Sequence, residues 1–167
     1  MVKAENKAAE PRARLELLLA GEEDTLRLGA ALGALLAPGA VVLLVGELGA
    51  GKTVLARGLA RGLGVSPQYA IVSPTFTLLN HYPGRVDFWH ADLYRLGGGE
   101  AAELEMLEEA AGGVLAVEWA ERAPGLWPAG AVRVELSREG DDARRAAVSG
   151  PPETMDSLQQ ALKRRDK

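Results

Sequence analysis

The chain has 167 residues, no cysteine and a formal net charge of −4. Its length suits one α/β domain with a true hydrophobic core, and its 47% hydrophobic and 25% charged residues are ordinary for a globular protein. The absence of cysteine excludes disulfides, thiolate metal sites and a cysteine nucleophile. The negative net charge offers no global basic field for nucleic acid, and no apolar run of the sequence approaches the ~20 residues of a membrane span.

The beginning of the chain predicts a tail, one strand and one helix. Residues 1–13 are polar and charged without the apolar core of a signal peptide, so we expect a disordered tail on a cytoplasmic protein. Residues 14–19 alternate in polarity at first, which indicates an edge strand. Asp24 is a suitable N-cap for a helix over 25–36, which a proline–glycine pair ends.

The rest of the chain alternates between short apolar runs and amphipathic segments. We predict helices at 54–63, 100–111 and 154–163. Single strands are predicted at 40–45, 71–72 and 114–117. We expect a hairpin from the strands 76–82 and 86–93, and a second strand pair from 132–136 and 144–149.

One segment is more informative than any other: Gly46-Glu47-Leu48-Gly49-Ala50-Gly51-Lys52-Thr53, the G-x-x-x-x-G-K-T pattern of a phosphate-binding loop. A buried-strand pattern precedes it and a helical pattern follows it, which is the context that this motif requires. Glycines let the backbone approach an anion closely, and the loop amides and helix dipole attract phosphate. We therefore expect Lys52 to bind phosphates, Thr53 to ligate Mg²⁺, and the residues from Glu47 to Val54 to contact a nucleotide. The alternative is a glycine-rich turn without a ligand.

These elements predict a single-domain P-loop nucleotide-binding fold of the α/β class. We expect a mixed, mostly parallel sheet flanked by helices and carrying a β-hairpin. The P-loop domain would span residues 14–150, between the tail of residues 1–13 and a C-terminal helix and tail over 151–167. We find no second domain to supply a lid or a substrate site, so partners would have to complete the machinery.

Two acidic residues are candidates to complete a magnesium site. A phosphate-binding loop needs a carboxylate near its threonine, usually at the end of a neighbouring buried strand. Glu118 directly follows the apolar run 114–117, and Asp92 ends the second strand of the hairpin. The alternative for each is a solvated strand end, and for Asp92 also a salt bridge with Arg95.

Four other side chains have two interpretations each. Thr75 lies where nucleotide switches place a threonine that senses the γ-phosphate and the metal, but threonine beside proline is also common in turns. Trp119 follows Glu118 and is either a core aromatic or a residue facing the nucleotide. His81 and His90 are single histidines in strands, for which packing or surface placement is favoured over a functional role.

Taken together, four segments resemble the TsaE (YjeE) family of small bacterial P-loop ATPases. They are the phosphate-binding loop, Ser73-Pro74-Thr75-Phe76-Thr77-Leu78, His90-Ala91-Asp92-Leu93-Tyr94-Arg95-Leu96 and Glu118-Trp119-Ala120-Glu121-Arg122. Many families share the loop, whereas the second and third segments in this order are far more specific. The chain departs from the family pattern at Glu47, where aspartate is usual, at Val54, where a second threonine often stands, and at Ala120, where proline is common.

The resemblance implies an ATP-binding and ATP-hydrolysing component of the system that makes N6-threonylcarbamoyladenosine at position 37 of tRNA. The implied partner is the TsaD–TsaB heterodimer, which transfers the threonylcarbamoyl group and through which the chain would meet tRNA. Hydrolysis would be weak alone, Mg²⁺-dependent and supported by that partner, and it would reset the complex between turnovers. The family roles fall on Lys52 and Thr53 for phosphate and magnesium, on Thr75 as the switch, on Asp92 as a metal-site or water-positioning acid, and on Glu118 with Trp119 as an essential pair.

Two other functions stay open on the residues alone. One is a small-molecule kinase, because similar loops occur in nucleoside and shikimate kinases, although an arginine-rich lid is missing. The other is a nucleotide-dependent binding module whose hydrolysis is vestigial. The sequence identifies no arginine finger, although Arg57, Arg95 and Arg122 are available, and a missing finger would explain dependence on a partner.

Overall fold

The computed structural model describes residues 12–165, which form one seven-stranded sheet with helices packed against it. The strands are β1 (Ala13–Leu19), β2 (Val41–Val45), β3 (Leu79–Tyr82), β4 (Phe88–Asp92), β5 (Val114–Glu118), β6 (Val132–Arg138) and β7 (Arg144–Gly150). The helices are α1 (Glu22–Leu35), α2 (Lys52–Gly62), α3 (Gly98–Glu103), α4 (Met106–Glu109) and α5 (Pro152–Arg165).

The strand order is β1-β7-β6-β2-β5-β4-β3. Strands β6, β2, β5 and β4 pair in parallel, whereas the β1–β7, β7–β6 and β4–β3 pairs are antiparallel. Five strands therefore run in one direction, and only β3 and β7 oppose them among the described strands. This arrangement confirms the predicted mixed, mostly parallel α/β sheet with a β-hairpin, which is formed by β3 and β4.

The apolar run of β2 divides the hydrophobic core into two layers. Successive side chains of a strand point to opposite faces of a sheet. Val42 and Leu44 accordingly pack with α1, α2 and α5, while Val41 and Leu43 pack with the residues of α3 and α4. Burial on both faces explains why β2 lacks polar residues, and it fixes the strand whose carboxyl end carries the phosphate-binding loop.

Helices α1 and α2 approach each other through glycines. A Cβ atom on Gly58 would lie 2.4 Å from the carbonyl oxygen of Leu26, and one on Gly29 would lie 2.5 Å from that of Leu55. Small residues spaced four apart let helix backbones approach this closely. The contact fixes α2, and with it the first turn that follows the phosphate-binding loop.

Three predicted elements near the candidate site were wrong in detail. The strand predicted at 71–72 does not form, because the Ile71 carbonyl accepts a hydrogen bond from Arg57 Nε (3.0 Å) instead of a strand partner. The strand predicted from residue 76 begins at Leu79, because a turn closed by the Leu78 amide and the Pro74 carbonyl (2.8 Å) precedes it. The helix predicted over 100–111 breaks at Glu105, whose φ of +48° is left-handed.

The two ends of the described chain join the domain. Residues 1–11 of the predicted tail lie outside the described residues, but Arg12 donates hydrogen bonds to the carbonyls of Ala129 (2.8 Å) and Ala131 (3.0 Å), and β1 begins at Ala13. At the other end, Met155 and Leu158 of α5 are buried in the core. Among the described helices, none combines the length and apolar character needed to cross a membrane.

Candidate functional site

The two predicted acids meet at one edge of the sheet. In the parallel ladder of β4 and β5, Asp92 is the register partner of Glu118, and Glu118 is in turn the partner of Leu44 in β2. The phosphate-binding loop leaves β2 at that same edge, because the carboxyl ends of parallel strands lie together. Asp92 and Glu118 are each only 3% exposed.

An open cleft of about 480 Å³ lies at this edge. Its lining residues come from the loop, α2, the segment before β3, the ends of β4 and β5, and β7: Leu48, Gly49, Gly51, Lys52, Thr53, Val54, Ser73, Thr75, Asp92, Tyr94, Glu118, Trp119 and Arg144. The cleft thus brings together the predicted site residues except Glu47 and Ala50. Ala50 is buried beneath the loop, and Glu47 is exposed outside the lining.

The loop has the backbone that an anion site requires. Gly51 has a φ of +106°, which a side chain would strain, and it directly precedes the first residue of α2. A Cβ on Gly46 would lie 2.4 Å from the Leu136 carbonyl oxygen, so only glycine lets the loop leave β2 beside β6. The N-terminus of α2 and its dipole therefore face the cleft.

Lys52 is a buried cation at the base of the cleft. Its Nζ donates hydrogen bonds to the carbonyls of Gly46 and Glu47 (2.9 Å for the latter) and lies 4.0 Å from the centre of the Trp119 ring. Burial lowers the pKa of Lys52 from its usual 10.5, because desolvation disfavours the charged form. Nearby carboxylates oppose this shift; they are Glu118, Glu121 and Asp92.

Thr53 and Glu118 are in direct contact. The Thr53 hydroxyl donates to Glu118 Oε1 at 2.9 Å, and His90 Nε2 lies 2.9 Å from the same oxygen. A hydroxyl that gives its single hydrogen to a carboxylate keeps its lone pairs for another partner. The threonine oxygen can therefore ligate a cation without losing its hydrogen bond to Glu118.

Asp92 connects the end of β4 to the segment before β3. Its Oδ2 accepts hydrogen bonds from the hydroxyls of Ser73 and Thr75, the latter at 3.3 Å, while its Oδ1 accepts one from the amide of Tyr94 (2.8 Å). Arg95 does not form the salt bridge considered from the sequence, and its guanidinium instead lies 4.1 Å from the centre of the Phe76 ring. Asp92 therefore acts on the predicted switch segment more directly than Glu118 does.

Trp119 lies on the wall of the cleft. Its backbone is left-handed, with φ of +59°, and its amide donates to the Leu44 carbonyl (3.1 Å). Its ring lies 5.0 Å from that of Tyr94, and the Arg122 guanidinium lies 5.1 Å from the Tyr94 ring centre. This strained backbone ends β5 at Glu118 and turns the indole ring of Trp119 toward Lys52.

Comparison with known proteins agrees with this geometry. A family model described as "Threonylcarbamoyl adenosine biosynthesis protein TsaE" matches residues 19–146. The chain belongs to the TsaE family. It is 42% identical over 140 residues to the tRNA threonylcarbamoyladenosine biosynthesis protein TsaE of Nostoc. That match covers 80% of this chain and 85% of the Nostoc protein.

Two further similar proteins are matched over almost their whole length. The Treponema pallidum protein of the same name is 43% identical over 129 residues, covering 76% of this chain and 94% of its own. The crystal structure of Bacillus subtilis YdiB superposes with a TM-score of 0.74 at 29% identity, covering 95% of this chain and 99% of that one. The resemblance drawn from four short segments is thus confirmed.

The sequence assigned no site role to three residues that line this TsaE cleft, Ser73, Tyr94 and Arg144, or to His90, which contacts the lining residue Glu118. Ser73 and Tyr94 lie inside the segments that carry the resemblance, so proximity to Thr75 and Asp92 was a usable signal. His90 was assigned to packing or the surface, yet it contacts Glu118. Arg144, on β7, donates to the carbonyls of Ala50 (3.1 Å) and Gly49 (3.3 Å); nothing in its local sequence indicates that contact.

The oxygen donors of the cleft suit a hard cation. Within residues 12–165, no group of three or more His, Cys, Asp or Glu residues forms a metal cluster of its own. One hydroxyl and nearby carboxylates are the kind of oxygen donors that bind Mg²⁺ together with substrate phosphates and water. The residues present therefore fit Mg²⁺ bound together with a nucleotide.

Proposed function

We propose that this chain binds ATP with Mg²⁺ in the cleft and hydrolyses it, as the ATPase component of tRNA N6-threonylcarbamoyladenosine synthesis. The observation that carries the proposal is the contact between Thr53 and Glu118 at the first turn after the phosphate-binding loop. It combines a loop suited to phosphates with a threonine–acid pair suited to a metal. The family to which the chain belongs supplies the pathway.

Binding begins with the loop and Lys52. The amides at the start of α2 lie at the cleft, where they would donate hydrogen bonds to the phosphate oxygens of ATP. The Lys52 ammonium is held by two neutral carbonyls, and an anionic phosphate is a stronger partner than either. A bound triphosphate would therefore give Lys52 stronger hydrogen bonds than those that it makes to the two carbonyls.

Thr53 and Glu118 would hold Mg²⁺, and Asp92 would link this site to the switch segment. The chemistry that the cation would supply there is neutralisation of charge on the phosphate oxygens during transfer of the terminal phosphoryl group to water. Glu118 supports the Thr53 oxygen, while Asp92 holds Ser73 and Thr75 at the cleft. Release of those two hydroxyls after hydrolysis would free the segment between α2 and β3.

A partner is needed for full activity in this proposal, and we infer that it is the TsaD–TsaB heterodimer. Arg144, the arginine in the described lining, is bound to loop carbonyls, so it is not free to act as a finger on the terminal phosphate. Leu48, which lines the cleft, is 75% exposed, and Phe76, next to the lining residue Thr75, is 80% exposed. Exposed apolar side chains of this kind suit contact with another protein. Transfer RNA would be reached through that complex.

The test compares ATP hydrolysis by the chain alone and with purified TsaD–TsaB from the same organism. Glu118→Gln should bind ATP but lose the partner-stimulated hydrolysis, because a neutral amide supports a divalent cation far more weakly than a carboxylate does. Glu121→Gln is the matched control, because Glu121 is exposed nearby and does not contact Thr53. A wild-type chain that fails to bind ATP would refute the proposal.

The same assay separates the two other functions. A small-molecule kinase would yield a phosphorylated metabolite when a metabolite panel is added, with little free phosphate. If the chain is only a binding module, its Glu118→Gln variant would still support full tRNA modification by TsaD–TsaB. A hydrolysing component requires the opposite result for that variant, namely modification that stops after the first turnovers.

A further inference from the structure

His90 is buried in the middle of β4, beside the proposed metal site. It lies on β4 with none of its side chain exposed, and its ring stacks on that of Phe88 at 5.7 Å between centres. The sequence favours a packing role for it. Its Nε2, however, lies 2.9 Å from Glu118 Oε1, on the neighbouring strand β5.

The surroundings of the ring identify its tautomer. Nδ1 is fully buried and has no hydrogen-bond partner among the described residues. A buried N–H without an acceptor is costly, and Glu118 provides an acceptor only at Nε2. The proton therefore lies on Nε2, and His90 donates it to Glu118.

Glu118 is consequently held from two sides through one oxygen. His90 donates to Oε1 from β4, and Thr53 donates to the same atom from α2. No described side chain donates to Oε2. Two donors from different elements fix the plane of the carboxylate and leave Oε2 for the cleft.

We propose that His90 is a positioning residue of the magnesium site, which orients Glu118 before any metal arrives. This inference rests on the proposed ATP·Mg²⁺ site and adds a specific role to a residue outside it. Residues that orient metal-site carboxylates commonly change metal affinity about 10–100-fold when they are replaced. A residue that only fills space would instead change stability.

Two substitutions separate orientation from packing. His90→Phe keeps a flat ring in the buried space but removes the N–H donor. His90→Gln loses the ring but keeps an amide N–H that reaches a similar position. The measurement is calorimetric binding of adenylyl imidodiphosphate at a series of Mg²⁺ concentrations and in EDTA, with the melting temperature of each variant recorded beside it.

We expect His90→Phe to raise the Mg²⁺ concentration needed for half of the metal-dependent gain in affinity by about tenfold or more, with affinity in EDTA unchanged. We expect His90→Gln to raise it by less than about threefold, because the donor is kept. A normal Mg²⁺ midpoint in His90→Phe overturns the inference, as does a midpoint in His90→Gln at least as high as that in His90→Phe. If the wild-type chain binds no nucleotide, the proposed function fails first; if it binds and responds to Mg²⁺, only this inference is in question.

A measurement on the unmodified ring covers the case in which the variants do not fold. The chain has two histidines, so ¹⁵N-histidine labelling gives two ring systems, and His81→Gln removes the signals of the exposed one. The remaining ring should show a proton on Nε2 and a bare Nδ1. A proton on Nδ1 alone would mean that His90 cannot donate to Glu118, and it would overturn the inference.

Discussion

Thr53 and Glu118 are 65 positions apart in the chain, yet the threonine Oγ1 lies 2.9 Å from Oε1 of the glutamate. The contact exists because β2 and β5 are parallel neighbours that end at the same edge, one before the loop and the other at Glu118 itself. A short helix turn then places Thr53 over the end of β5. Strand order thus brings together the oxygen atoms that we propose as ligands for a metal.

Replacement of Thr53 tests this arrangement. Thr53→Val keeps the shape of the side chain but removes the hydroxyl, so Mg²⁺ should no longer strengthen nucleotide binding, and affinity in Mg²⁺ should fall by at least about tenfold. Thr53→Ser keeps the hydroxyl and should bind within a few-fold of the wild type. Calorimetric titration with ADP, with and without Mg²⁺, measures both; equal Mg²⁺ dependence in the valine variant would remove Thr53 from the metal site.

The lowered pKa of Lys52 predicts a loss of nucleotide affinity at alkaline pH. Burial lowers its pKa below 10.5 in the free protein, whereas bound phosphates favour the ammonium and raise the pKa again. Between those two pKa values, binding must take up a proton. Affinity for ADP should therefore be constant below the free-protein pKa and then fall about tenfold for each pH unit above it.

The matched variant for this test is Lys52→Arg. Arginine stays charged throughout the accessible pH range, so its affinity, although weaker, should not show the alkaline decline. An alkaline decline in ADP affinity of equal slope in both proteins would assign that decline to a group other than Lys52.

The lowered pKa of Lys52 also affects stability. The unfolded chain binds the Lys52 proton more tightly than the folded chain does, so the free energy of unfolding should rise with pH from the lowered pKa toward 10.5.

Trp119 should report nucleotide binding by fluorescence. The Lys52 ammonium lies 4.0 Å from the centre of its ring, and phosphate would draw that charge away from the indole. The chain has three tryptophans, and Trp127 instead donates to the Ala120 carbonyl at 2.9 Å and is not among the residues that line the cleft. Titration with ADP should change the emission of the wild type and of Trp127→Phe but not that of Trp119→Phe; a full change in Trp119→Phe would contradict this.

The features that the sequence predicts correctly have local causes. An apolar run with β-branched residues forms β2, and the glycines, Lys52 and Thr53 follow within one continuous segment, so their placement needs no knowledge of the rest of the chain. The rule that the carboxyl ends of parallel strands lie at one edge of the sheet then predicts that Glu118 lies near Thr53.

The features that it misses depend on contacts between distant segments. The strand predicted at 71–72 fails because Arg57, on α2, binds the Ile71 carbonyl. His90 resembles a core residue because its burial is indeed complete, and only its neighbour on β5 gives it a polar partner. Arg144 reaches the loop from β7, a strand that no motif marks.

The close packing of α1 and α2 gives a prediction of opposite sign to the usual helix rule. Glycine-to-alanine changes in exposed helices usually stabilise by about 0.5–1 kcal/mol. At Gly58 the added Cβ would meet the Leu26 carbonyl oxygen at 2.4 Å, so Gly58→Ala should lower the free energy of unfolding by about 1–3 kcal/mol.

Gly99 is the matched control, because it lies in α3 with nothing within 4 Å of an added Cβ. Gly99→Ala should leave the free energy of unfolding unchanged or slightly higher in the same urea titration. Because α2 begins at Lys52 and Thr53, a displaced α2 should also weaken ADP binding in Gly58→Ala but not in Gly99→Ala. Equal stability of the two variants would mean that the helices separate without cost, and that the glycine contact does not hold α2 in place.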